Sequence, residues 1–299
     1  MAAATFSTVS LTVHDHPLQL STIHRPGPKP AILFLHGFGS CKEDLHDLVY
    51  LPSLRDHTFI AYDAPGCGAS QHEGPSADLT IPFLVATAQA VLVHFHVSSF
   101  YLIGHSTGAL TALMLASALQ QQSQPQKFHT RSHSQSQSQS QQTLNLLAFI
   151  NIEGILSPEN CPFSRTLFTS LTSPAHTQDQ EDPLQTLTTA LTSTLPPTYT
   201  TGYGTTQFTT LLPHRIQSPA IIPLVASTVE LSWKNLLGRF IRLSCPVMFM
   251  FGDQNRNLSF LGQLEENSVE LVRIPMCGHF PMISNPAKML RRVEGFLRD

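Results

Sequence analysis

The segment Gly104-His105-Ser106-Thr107-Gly108 places the strongest constraint on the fold of this chain. It follows a short apolar run, 100–103, and precedes an Ala/Leu-rich run, 109–116, which predict a strand and a helix. A G-x-S-x-G segment between a strand and a helix is typical of a sharp turn that exposes the serine hydroxyl above a sheet. Gly104 and Gly108 have no Cβ atom, so the strand and the helix can approach closely there. We therefore predict that Ser106 is a nucleophile.

A serine hydroxyl is a poor nucleophile unless a base accepts its proton and a third group orients that base. The apolar run 246–251 predicts a buried strand, and Gly252-Asp253 follows at its carboxyl end. The run 268–274 predicts the last strand, and His279 lies in the loop after it. Loops at the carboxyl ends of parallel strands meet at one edge of the sheet. We therefore expect Ser106, Asp253 and His279 to meet there as a catalytic triad.

Five segments stand in this order along the chain: His36-Gly37-Phe38-Gly39, 63–70, Gly104-His105-Ser106-Thr107-Gly108, Phe251-Gly252-Asp253 and Gly278-His279-Phe280. Together they resemble the α/β-hydrolase superfamily, and the resemblance covers nearly the whole chain. It implies an α/β fold in which helices flank a mostly parallel, twisted sheet and a cap is inserted. That fold uses the triad order Ser, Asp, His.

The resemblance also implies the other members of the site. Backbone N–H groups of Phe38 and Thr107 would form the oxyanion hole, which stabilises the charge on a tetrahedral intermediate. Some members of the superfamily carry the triad acid one strand earlier, where Glu153 follows the predicted buried strand 144–152. Glu153 is therefore the alternative to Asp253. The resemblance requires no metal and no organic cofactor.

The domain organisation follows from changes in composition along the chain. We predict a hydrolase core from 1–154 and 236–299, with a cap inserted at 155–235, where Thr, Ser and Pro are frequent and periodicity is weak. Residues 120–142 are rich in Ser and Gln and cannot bury a core, so we expect this insertion to be disordered. Aromatic and aliphatic residues in the cap favour a small, partly apolar substrate.

Composition narrows the partners and the cellular compartment. A net charge of -3 over 299 residues gives no electrostatic reason to bind nucleic acid. No apolar run approaches the roughly 18 residues of a membrane span, and no secretory signal is apparent. The five cysteines are scattered and odd in number, which favours free thiols in the cytoplasm. We expect a small-molecule substrate, and the oligomeric state is left open.

The predicted function is hydrolysis of a carboxylic ester, or of a related acyl bond, through an acyl-enzyme. Two alternatives remain open at this stage. One is a non-hydrolytic enzyme on the same fold, such as an acyltransferase, a lyase or a cofactor-free haloperoxidase. The other is a ligand-binding protein that retains the triad.

Overall fold

Nine strands form one sheet in the computed structural model of the protein, which describes residues 2–123, 143–173, 182–193 and 210–298. The order across the sheet is β1-β2-β4-β3-β6-β7-β8-β9, and β5 pairs with β2. The strands are β1 (Thr5–Val13), β2 (His16–Arg25), β3 (Lys29–Leu35), β4 (His57–Tyr62), β5 (Gln71–His72), β6 (Ser99–His105), β7 (Asn145–Ile152), β8 (Val247–Gly252) and β9 (Glu270–Ile274).

Most of the sheet is parallel. β1 and β2 form an antiparallel pair, β2 runs antiparallel to β4, and every pairing from β4 through β9 is parallel. The central strands are continuous apolar runs because helices cover both faces of such a sheet, and 248–250 in β8 are fully buried. This confirms the predicted fold class and brings the carboxyl ends of β3, β6, β7 and β8 to one edge.

Nine α-helices with named bounds accompany the sheet in the described ranges. None of them is both long and apolar enough to cross a membrane. They are α1 (Ile81–His94), α2 (Thr107–Ser123), α3 (Pro162–Leu171), α4 (Pro183–Ser193), α5 (Ser218–Ser232), α6 (Leu236–Ile241), α7 (Leu261–Glu266), α8 (Pro281–Ser284) and α9 (Pro286–Arg298).

The segment between β7 and β8 contributes helices α3 to α6 and is fastened to the core. Ile216 forms an antiparallel bridge with Cys67. The N–H of Gly68 donates to the carbonyl of Arg215 at 2.8 Å, and the N–H of Gln217 donates to the carbonyl of Gly66 at 2.9 Å. These bonds hold the end of the 210–217 stretch against the loop that follows β4.

Helix α2 extends four residues into the stretch that we expected to be disordered. Its last turn is held because the Gln120 side chain donates to the carbonyl of Arg242 at 2.9 Å and accepts from the N–H of Ser244 at 2.7 Å. The Gln120–Ser123 end of the expected insertion is therefore helical. The rest of that prediction, 124–142, lies outside the described residues.

Candidate active site

Ser106 occupies a left-handed backbone conformation, with φ of 53°, between β6 and α2. Residues other than glycine rarely adopt this conformation, and such strain is concentrated at functional turns. The N–H of Ser106 donates to the carbonyl of Ile152 at 3.0 Å, which ties the turn to the neighbouring strand β7. The predicted order of strand, turn and helix is therefore present. Ser106 is partly exposed in this turn.

Gly108 allows helix α2 to pass close to strand β3. A Cβ atom at this position would lie 2.2 Å from the carbonyl oxygen of Leu35 and 2.3 Å from that of His36. Both are backbone atoms that cannot rotate away. We expect Gly108→Ala to lower the free energy of unfolding by about 2–3 kcal/mol, as measured by urea denaturation. Gly295→Ala is the control, since a Cβ there meets open space.

His279 lies in the loop after β9, and its ring reaches Ser106. The distance between His279 Nε2 and Ser106 Oγ is 2.9 Å, and only 4 % of His279 is exposed. A neutral imidazole that accepts the serine proton at Nε2 carries its own hydrogen on Nδ1. The pair is therefore arranged for transfer of the Ser106 proton to His279.

Glu153 provides the carboxylate beside the other ring nitrogen of His279. Its Oε2 lies 3.5 Å from His279 Nδ1, and its side chain is 2 % exposed. Glu153 Oε1 accepts from the N–H of Gly252, and Oε2 accepts from the side chain of Asn255 at 2.7 Å. Donors from β8 and the turn after it thus hold the carboxylate in an orientation facing the histidine.

Asp253 lies at the carboxyl end of β8, as predicted, but its carboxylate has a different setting. Its Oδ1 is 3.4 Å from Nε of Arg273, and about a third of its side chain is exposed. A partly exposed carboxylate that pairs with a surface arginine is typical of a structural salt bridge. The structure therefore places His279 beside Ser106 and Glu153 beside His279, and it pairs Asp253 with Arg273.

The turn that contains Phe38 lies directly against the serine. A Cβ atom on Gly37 would lie 2.9 Å from Ser106 Cβ, so only glycine permits this approach. Thr107 begins helix α2, where a backbone N–H has no intrahelical acceptor. Both the N–H of Phe38 and that of Thr107 are without a protein acceptor in the part of the chain that the structure describes.

Two apolar side chains from the segment after β7 approach this turn. The rings of Phe38 and Phe163 lie 6.4 Å apart, at an angle of 58°. Leu212 is fully buried, and a Cβ atom on Gly39 would lie 2.2 Å from its Cγ. The side of the site next to the turn is therefore lined by apolar groups from the segment between β7 and β8.

A thiol near the site is held in its unreactive form. Cys277, two residues before His279, has no exposed surface. Burial, and after it the charge of Glu153, raises the pKa of Cys277 to about 12. Because the thiolate is the nucleophilic form of cysteine, Cys277 is a poor nucleophile at neutral pH.

Sequence reasoning missed His105, which lies inside the G-x-S-x-G segment. Its side chain is 1 % exposed, and its Nε2 lies 2.9 Å from the carbonyl oxygen of His279. The segment marks the turn by its glycines and serine, and the position between them is variable in the pattern. No local signal predicts a contact with a loop 174 residues away.

The family of this chain follows from comparison with known proteins. No protein of curated function matches the sequence. Among solved structures, the N-acyl homoserine lactonase AidH is 11 % identical with a TM-score of 0.67, and 99 % of this chain and 97 % of that chain are covered. An esterase from Exiguobacterium antarcticum is 12 % identical with a TM-score of 0.65, over 99 % of this chain and all of that one.

A third similar structure, the bottromycin epimerase BotH, is 16 % identical with a TM-score of 0.63, over 97 % of this chain and 99 % of that one. At these identities the likeness concerns the fold, which carries more than one chemistry. The family model described as the alpha/beta hydrolase family matches residues 32–292. This chain therefore belongs to the alpha/beta hydrolase family of enzymes.

Proposed function

We propose that the protein hydrolyses a carboxylic ester, or a related acyl bond, of a small and partly apolar substrate. The observation that carries this proposal is the 2.9 Å contact between Ser106 Oγ and His279 Nε2, with the Glu153 carboxylate on the far side of the ring. A serine with a positioned base and an oriented carboxylate is the arrangement that makes a hydroxyl nucleophilic.

The first half of the reaction forms an acyl-enzyme. Ser106 Oγ attacks the substrate carbonyl carbon while its proton moves to His279 Nε2. The carbonyl oxygen becomes an oxyanion, which accepts hydrogen bonds from the N–H groups of Phe38 and Thr107. Collapse of the tetrahedral intermediate breaks the bond to the leaving group, and His279 gives its proton to the departing oxygen.

The second half returns the enzyme to its starting state. His279 takes a proton from water, and the resulting hydroxide attacks the acyl carbon. The same two N–H groups bind the second oxyanion. The bond to Ser106 Oγ then breaks, Oγ recovers its proton from His279, and the carboxylic acid leaves. No metal or organic cofactor takes part in either half.

We assign the role of triad acid to Glu153. The sequence analysis favoured Asp253 for this role and kept Glu153 as the alternative. His279 becomes positively charged once in each half of the reaction, when it takes a proton. The Glu153 carboxylate then lies 3.5 Å from the ring, and it is buried and accepts hydrogen bonds from two donors. A buried carboxylate stabilises the imidazolium more than an exposed one, because water screens the charge less. Asp253 is exposed further and is paired with Arg273.

We propose that 155–235 is a cap on a core formed by 1–154 and 236–299. The attachment of Ile216 to Cys67, and the approach of Phe163 and Leu212 to the 37–39 turn, support this role. A cap excludes water from the site and shapes the pocket for substrate. The two apolar contacts favour an acyl or alcohol group with hydrocarbon character.

A fluorophosphonate probe tests the proposal on the wild-type protein. The serine oxygen displaces fluoride from phosphorus, so we expect one covalent adduct per chain, mapped to Ser106 by peptide mass spectrometry. Denatured protein is the control and should remain unlabelled, since the reaction needs the assembled site. p-Nitrophenyl esters of increasing chain length then measure kcat/KM against the size of the acyl group.

The outcomes of this experiment separate the proposed function from its alternatives. Absence of an adduct on folded wild-type protein would contradict an activated Ser106. An adduct without release of p-nitrophenol would contradict ester hydrolysis and favour transfer to an acceptor other than water. Added alcohols, tested as acceptors with the same esters, would then detect an acyltransferase.

A further inference from the structure

His105 links the two loops that meet at the proposed site. Its ring lies beneath the serine turn, and its Nε2 is 2.9 Å from the carbonyl oxygen of His279. The two histidine rings have centroids 5.1 Å apart, at an angle of 52°. His105 therefore contacts the backbone of the residue whose side chain reaches Ser106, although the two histidines are distant along the chain.

The chemistry of this contact fixes the protonation of His105. A carbonyl oxygen can only accept a hydrogen bond, so Nε2 of His105 must carry the hydrogen. In the neutral ring the other nitrogen, Nδ1, is then unprotonated, and it has no hydrogen-bond partner among the residues that the structure describes. A neutral ring with its hydrogen on Nε2 donates that hydrogen to the carbonyl of His279.

The opposite side of the His105 ring packs against the turn that carries Phe38. A Cβ atom on Gly37 would lie 2.9 Å from Nδ1 of His105, so the backbone of the turn rests on the ring. Phe280 covers a third side, with its centroid 5.5 Å from that of His105 and 5.0 Å from that of His279. The ring thus has close neighbours that restrict its movement.

Burial keeps this ring neutral through the pH range in which the enzyme would operate. Burial, and after it the nearby His279 and His36, lowers the pKa of His105 to about 3, although the bond to the His279 carbonyl opposes the shift. The Nε2–H donor is therefore present at every pH above that value. His105 also adds no positive charge beside His279.

We propose that His105 is a positioning residue, whose Nε2–H holds the backbone carbonyl of His279 and so keeps the His279 ring within proton-transfer distance of Ser106. It touches no reacting atom, and it acts through His279. The inference depends on the proposed function, because positioning His279 matters for activity only if His279 accepts the proton of Ser106. Misplacing a catalytic group by about 1 Å costs on the order of 10²-fold in rate.

Two substitutions at His105 separate the hydrogen bond from packing. His105→Gln keeps an N–H donor at the reach of Nε2, and His105→Met fills similar space without a donor. We expect His105→Met to lower kcat for a p-nitrophenyl ester by about 10²-fold with little change in KM. His105→Gln should recover most of that loss. The rate of fluorophosphonate labelling should follow kcat in the same order.

His57→Met is the matched control. His57 is also a buried histidine, with Nδ1 2.8 Å from the carbonyl oxygen of Pro30, but it lies at the amino end of strand β4. It should lose thermal stability and retain kcat. The inference is overturned if His105→Met keeps wild-type kcat, or if the Gln and Met variants lose kcat equally at equal melting temperatures.

NMR of the ¹⁵N-histidine-labelled protein tests the contact without any turnover. The chain has 15 histidines, and the signal that disappears in His105→Gln belongs to His105. We expect a neutral ring with hydrogen on Nε2 throughout pH 5–9. A ring that titrates in this range, or that carries its hydrogen on Nδ1, overturns the inference. Failure of the proposed function is recognised separately, as wild-type protein that neither labels nor hydrolyses esters.

Discussion

Ser106→Ala is expected to lower kcat for a p-nitrophenyl ester by about 10⁴–10⁶-fold and to abolish fluorophosphonate labelling. The substitution removes the atom that forms the bond to the acyl carbon, and no other nucleophile replaces it. Cys277 is close to the site, but burial raises its pKa to about 12, so it stays a thiol. The remaining rate would come from the oxyanion donors alone.

The matched control is Ser117→Ala in helix α2, which begins directly after Ser106. Ser117 is 8 % exposed, and its hydroxyl has no hydrogen-bond partner in the described residues, so its removal should leave both kcat and labelling unchanged. Far-ultraviolet circular dichroism establishes that both variants are folded. If Ser106→Ala retained more than a tenth of the wild-type kcat, the nucleophile would have to be another group.

The sequence could predict the edge of the sheet at which the candidate site lies. That edge follows from where each apolar run ends, and an apolar run is a local pattern in the sequence. The apolar runs 144–152 and 246–251 predicted strands that the structure places at Asn145–Ile152 and Val247–Gly252. A strand of this kind ends where polar residues and glycine begin, and the residue after it lies at the carboxyl edge. Glu153 and Asp253 each follow such an end, so both were candidates.

The choice between these carboxylates could not be read from the sequence, because it depends on contacts made across the fold. Arg273 on β9 neighbours β8 and pairs with Asp253. Asn255 instead donates to Glu153, from a turn about 100 residues later in the chain. Which carboxylate reaches His279 depends on these side-chain partners. The strand patterns determine only that both residues lie at the carboxyl edge of the sheet.

Side-chain hydrogen bonds also determine where helix α2 ends within the Ser/Gln-rich stretch. Composition predicted disorder from Gln120, since glutamine and serine bury little apolar surface. The helix continues to Ser123 because both polar groups of the Gln120 side chain bind backbone groups of Arg242 and Ser244. A single polar residue with two well-placed partners can extend a helix beyond the end that composition indicates.

The acid of the triad is decided by comparing Glu153→Gln with Asp253→Asn. We expect Glu153→Gln to lower kcat by about 10³–10⁴-fold, by analogy with the loss of an orienting carboxylate in serine proteases. A neutral amide no longer stabilises the charged ring of His279. Its NH₂ group can also face Nδ1, which favours the wrong tautomer for accepting the Ser106 proton.

Asp253→Asn is expected to retain wild-type kcat, because it removes a partly exposed salt bridge with Arg273 that is worth at most about 1 kcal/mol of stability. Both substitutions keep the size of the side chain, so the two variants differ in charge position and not in packing. Single-turnover acylation, measured with a p-nitrophenyl ester, isolates the step in which His279 takes the proton. A large loss in Asp253→Asn beside normal acylation in Glu153→Gln would contradict the assignment and transfer the role to Asp253.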